Sequence, residues 1–153
     1  IKMYLISIIA VLGLVAFTCM TGGINIVALL DLPTLILLLF ITAPMLVSTG
    51  LLKDFNRAFR FAIGKKKAGS LKELRRSIEA LSLAIKTIQC SGVLISSIEV
   101  IVMLRHADRL EMIGPMVCVS ILAVVYGIGL SLLLFPIRTQ LQLQVIEYLS
   151  EEE

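Results

Sequence analysis

MIGPMVCVSILAVVYGIGLSLLLFPI, residues 112–137, carries no charged side chain. An α-helix rises 1.5 Å per residue, so about 20 apolar residues cross a hydrocarbon core of about 30 Å. This run exceeds that length. In lipid the backbone must satisfy its own hydrogen bonds, which a helix does within one segment, and the alternating pattern of a membrane barrel strand is absent. Thr87 to Leu104 has one charge, Glu99, while Leu32 to Leu52 and Met3 to Leu30 have none. The four runs predict an all-α, polytopic membrane protein: one membrane domain over 1–153, with transmembrane helices at about 3–22, 32–52, 87–104 and 113–137. The first run continues past a signal peptide's apolar region of about 7–15 residues, so it is read as a helix.

Composition agrees. The 153 residues are 58% hydrophobic and 16% charged, with a mean hydropathy of +1.00. A soluble domain is about 45–50% apolar and about 25% charged. Disorder, a soluble enzyme and a disulfide scaffold are disfavoured. One His and three Cys, with no Cys-x-x-Cys and no His-x-x-x-His, give no metal-site spacing. No nucleophile has a base near it in sequence, and His106 stands alone in a loop, so neither an enzyme nor a cofactor is expected. Cys19, Cys90 and Cys118 read as small buried hydrophobes.

Ten of the fourteen basic residues lie between Lys53 and Lys86. Basic segments stay on the cytoplasmic side during insertion, so this loop, residues 53–86, is expected inside. The same topology puts Lys2, Arg138, the tail 138–153 and both termini in the cytoplasm. Arg105 and Arg109 fall outside, with external links at Thr21 to Asp31 and His106 to Glu111. A basic cluster also suits nucleic acid, but Phe55, Phe59 and Phe61 are its sole stacking candidates, and no nucleic acid is expected. Lys65, Lys66 and Lys67 are placed to meet anionic lipid headgroups.

The loop reads as helical. Ser70 and Glu73 form an S-x-x-E capping box, preceded by Gly64 and Gly69. Leu71, Leu74, Ile78, Leu81, Ile85 and Ile88 then recur every three or four residues, a narrow packing stripe. With no breaker before Gly92, this helix should run into span three as one rod. Its stripe has two candidate partners: the chain's own helical extension of span two, Asp54 to Ile63, or neighbouring subunits.

Glu99 is the one charge well inside a span, where it costs about 2.5–3.5 kcal/mol on insertion scales. Three readings stay open: snorkelling toward Arg105 or His106, a place beside an ion path, or a helix contact. Ser91, Ser96, Ser97, Ser120 and Ser131 are hydroxyls available for interhelical bonds, though such groups usually satisfy their own backbone. Gly92 permits close helix approach.

Span four opens with Gly114-Pro115, carries Tyr126-Gly127 and ends with Phe135-Pro136. With Gly22-Gly23, Asp31-Leu32-Pro33 and SGVLISSIEVIVML (91–104), this order resembles the MotA/TolQ/ExbB proton-channel family, in its MotA-like branch. The resemblance implies a ring of five subunits in a bacterial inner membrane. The ring surrounds a dimer of a single-span partner resembling MotB or ExbD, which bears a transmembrane Asp. It implies a stator-type motor driven by proton motive force, with spans three and four forming the inner wall. Ser96, Glu99, Ser120, Tyr126 and Pro136 are then the candidates for the ion path or inner wall, and Gly92 and Gly127 for helix packing. Ala123 and Val124 stand where sodium-coupled members pair two Thr, which implies protons. The family's proline near Gln89 is missing, Glu99 stands where Gly is common, and loop 53–86 is shorter than in flagellar stators. A small four-helix secondary transporter, or an accessory subunit of one, is the alternative.

Overall fold

The structure, a computed structural model, describes residues 2–23, 31–62, 70–105 and 110–150. Five helices follow one another: α1 (Lys2–Gly22), α2 (Leu32–Ser48), α3 (Leu52–Ala62), α4 (Leu71–Arg105) and α5 (Leu110–Ser150). No described residue lies in a strand, so the all-α expectation holds. The links at 24–30 and 106–109, the turn at 63–69 with Lys65, Lys66 and Lys67, and the last three residues fall outside the described set.

α4 has 35 residues, about 52 Å, and α5 has 41, about 61 Å. Both are long and apolar enough to cross a membrane. α2 and α3 meet that test only as a pair, and they are bent from one another by 105°. The described residues therefore carry the apolar helices of a membrane protein, two of them long enough on their own.

The helical extension expected after span two is present as α3, but span two itself ends at Ser48 instead of Leu52 and the chain turns there. α2 stops at Ser48 because its last carbonyls are taken from outside the helix. Gly50 N–H donates to Val47 O and Leu51 N–H to Leu46 O, both at 3.0 Å, while Gly50 adopts φ +67. This is the Schellman arrangement, and its left-handed position favours glycine. The Ser48 and Thr49 hydroxyls donate to Met45 O at 3.0 and 2.9 Å, occupying one more carbonyl.

The rod expected from Leu71 onward is present as α4. Ser70 Oγ accepts from Glu73 N–H at 3.3 Å, half of the capping box. The Glu73 carboxylate turns instead to Arg57, at 3.3 Å. Beyond Arg138, the tail read as 138–153 is a continuation of α5 as far as Ser150, with Pro136 inside the helix.

Leu74, Leu81, Ile85 and Ile88 of α4 pack with Ala58 and Phe61 of α3 and with Leu134, Ile137 and Leu141 of α5. The α4 stripe is therefore used within its own chain, the first of the two candidate partners. Asp54, 5% exposed, ties α3 to α4: it meets Arg57 at 3.3 Å and Arg76 at 3.1 Å. A second, smaller cluster joins Leu38 of α2, Ile95 of α4 and Ala123 of α5.

The most extensive pairing is α4 against α5. It is antiparallel, since Gly92 faces Ala123 and Gly127 faces Ile88. A Cβ on Gly92 would sit 2.8 Å from Ala123 O and 3.3 Å from the Gly127 Cα. No flexible side chain is there to yield. Gly92→Ala should therefore cost about 1–3 kcal/mol, the usual penalty for overpacking. Gly129 has nothing within 4 Å of an added Cβ. Gly129→Ala should be neutral or stabilising by up to about 1 kcal/mol, because Ala is the better helix former. Thermal loss of helicity in detergent compares the two, and equal behaviour would refute close approach at Gly92.

Candidate functional site

Away from the basic end, the start of α2 meets the middle of α4 and α5. Asp31 precedes α2 as its N-cap, and Leu32-Pro33 begins the helix where a missing proline N–H costs no intrahelical bond. The Asp31 side chain does not cap the backbone. It accepts the hydroxyl proton of Thr34, which is 2% exposed. Its backbone N–H donates to Tyr126 Oη at 2.7 Å, joining the start of α2 to the centre of α5.

Glu99 of α4 is half-buried. Its Oε2 is buried with no hydrogen-bond partner among the described residues. Ser77 Oγ and Arg138 Nε share that condition. The antiparallel register brings these two to one level at the far end of the α4–α5 pair. Glu99 opens on a groove of about 250 Å³ whose other walls are Val102, Pro115, Met116 and Val119. A carboxyl group edged by apolar walls keeps few hydration partners, so a proton or a donor from elsewhere has most to offer it.

Snorkelling to Arg105 is not formed. Among the described residues every ion pair lies at the basic end, and none involves Glu99. His106 lies outside the described residues.

The remaining candidates are spread along the molecule. Ser96 is half-buried on α4. Ser120 is buried and donates to Val117 O at 2.9 Å, so its proton serves its own helix. Tyr126 touches the Asp31 group. Gly92 and Gly127 sit together at the middle of the pairing. Pro136 stands apart: Glu99 lies near the level of Met116, and Pro136 is about 30 Å further along α5. The structure thus joins Tyr126 and Thr34 to Asp31, sets Glu99 at its own groove and leaves Pro136 at the other end.

Asp31 and Thr34 were not among the candidates. The available signal was a single acid separating two charge-free runs, with a hydroxyl three residues later. The cysteine reading is corrected: Cys90 and Cys118 are free and exposed, because they lie on outward faces of α4 and α5. The Cys19 side chain is outside the described set. Cys90 borders an open groove of about 440 Å³ with Gln89, Val93, Leu94 and Ser97. Among the described residues no three His, Cys, Asp or Glu side chains converge as a metal site.

Compared with protein-family models, curated proteins and solved structures, the chain finds no match.

Tyr126→Phe keeps the ring but removes the acceptor of the Asp31 N–H. The expected cost is about 1 kcal/mol, the usual worth of such a bond. Tyr148→Phe, in the tail, should change little. Thermal unfolding of the two variants side by side measures the difference, and an equal effect would remove Tyr126 from the group.

Proposed function

We propose that the chain is a ring-forming subunit of a stator-type ion channel complex driven by proton motive force, similar to MotA/TolQ/ExbB subunits. In this reading it crosses the inner membrane of a bacterium four times, with both termini in the cytoplasm. One observation carries the proposal. The outward face of α5 bears Ile121, Val125, Ile128, Leu132 and Phe135, and then, beyond Arg138, Leu143, Ile146 and Leu149. These recur at helical spacing along one face. In the membrane the first five call for a cover of lipid or of another helix. The last three are 59%, 63% and 42% exposed, beyond the span bounded by Arg138.

Burying a side chain of this kind is worth about 1.5–3 kcal/mol. A neighbouring subunit that covers the membrane part of the stripe continues naturally over the tail, which gives lateral association of identical rods. α4 offers a second such face, with Gln89 and Ser97 among Val93 and Leu94. The Gln89 amide there suits contact with other helices better than contact with lipid, while the Ser97 hydroxyl donates to Val93 O of its own helix at 2.8 Å. In a ring of five, this face would meet a dimer of single-span partners bearing a transmembrane Asp. Glu99 would exchange protons from its groove, Ser96 and Tyr126 would offer hydroxyl relays, and Pro136 would shape the inner end of α5.

Two measurements test this reading. Native mass spectrometry or imaging of the protein in lipid should give a ring of five, and monomers or dimers alone would sink the proposal. With a partner present, Glu99→Gln should change proton flux, and unchanged flux would take Glu99 off the path.

The joining of Asp31, Thr34 and Tyr126 within a single chain, together with the in-span acid Glu99 at its own groove, favours a second reading, a small secondary transporter or its accessory subunit. Such a protein would move solute in liposomes without any partner, and a stator subunit would not.

A further inference from the structure

At the opposite end from Glu99, the first turn of α3 faces the first turn of α4 across a cavity of about 310 Å³. Lys53, Arg57, Lys72 and Arg76 line it together with Asp54, Glu73 and Gly50. We propose that this corner binds a phosphate group, carried by an anionic lipid headgroup or free in solution. The inference is independent of the ring reading.

Charge comes first. Four cations face two carboxylates, which leaves two positive charges. Asp54 is compensated by Arg57 and Arg76, and Glu73 by Arg57. Among the described residues Lys53 and Lys72 have no carboxylate partner. The ion pairs use Arg57 Nη1 and Arg76 Nε, so Arg57 Nη2 and both Arg76 Nη atoms remain as donors. A guanidinium held at one edge by a carboxylate presents its other edge in a defined direction, which suits a tetrahedral oxyanion.

The backbone adds to this. Two helices begin at the cavity, and their first N–H groups and positive dipole ends favour an anion. Ser70 satisfies one of them, Glu73 N–H. The volume is roughly ten times a water molecule's share of the liquid, about 30 Å³, which leaves room for a phosphate and part of its ester. The position also fits. The apolar helix α2 ends at Ser48, two residues before Gly50, so the corner lies at headgroup depth if α2 is in lipid.

The test uses the full chain in phosphatidylcholine nanodiscs. One arm adds inorganic phosphate, and the other replaces part of the lipid with phosphatidylglycerol. Hydrogen exchange at 50–57 and 70–76 and the thermal midpoint are read together, since a ligand of the folded state stabilises it. The native chain should gain protection. Lys53→Gln with Lys72→Gln removes two exposed, unpaired cations and should weaken the response at least tenfold. Arg75→Gln with Lys86→Gln removes the same charge elsewhere and should leave it intact. Lys53→Arg with Lys72→Arg should keep it, which guards against a folding defect in the Gln pair. A response to phosphatidylglycerol alone assigns a lipid headgroup, and a response to both probes assigns the phosphate group itself. No response in either arm, or equal loss in both Gln pairs, would overturn the site.

Discussion

The close approach of α4 and α5 at Gly92 and Gly127 is the constraint on which the remaining structure depends. With Ala123 O and the Gly127 Cα at the distances where a side chain would begin, the helices pack through backbone surfaces, and their relative register has little freedom. That register determines which residues face each other along both rods. Leu134, Ile137 and Leu141 meet Leu74, Leu81 and Ile85 on one side of the glycines, and Ala123 meets Ile95 and Leu38 on the other. Ser120 and Ser131 donate to carbonyls of their own helix, at 2.9 and 2.7 Å. In such a close-packed interface the short hydroxyls bond to their own backbone.

α3 is held by a different balance. The glycine turn at Gly50 ends α2 and sends the chain across the end of the bundle at 105°. Ala58 and Phe61 supply apolar contact there, and Asp54 supplies charge. A carboxylate 5% exposed between two guanidinium groups is strongly directional. The same ion pairs orient Arg57 and Arg76 toward the cavity, so one cluster both closes the α3–α4 corner and gives it positive character.

The two ends of the molecule therefore differ in kind. One has a carboxyl group whose buried oxygen has no partner among the described residues, beside an apolar groove. The other has an excess of cations and two helix starts. Between them run apolar faces of α4 and α5 that stand exposed among the described residues. The polarity of the ends suits a protein that lies across a bilayer with its basic end at one surface, and the uncovered faces are where lipid or other helices would lie.

Helical character was legible in the residues alone, because charge-free runs beyond about 20 residues leave the backbone no option in lipid but its own hydrogen bonds. The α4 stripe from Leu71 to Ile88 was legible for a similar reason, since its three-four spacing matches the helical repeat. So was the small size required at Gly92. The break after span two was not legible, because a charge-free run through Leu52 has the same hydropathy whether it is straight or turned, and Gly50 alone does not tell a turn from a tolerated glycine. The exposure of Cys90 and Cys118, the pairing of Asp31 with Thr34 and Tyr126, and the Asp54 cluster were equally hidden. Each depends on which helix lies opposite, at sequence separations that local periodicity does not reach: residue types determine that a segment is helical and apolar, whereas the neighbour of a given side chain is decided only when backbone contact at two glycines sets the register of the rods.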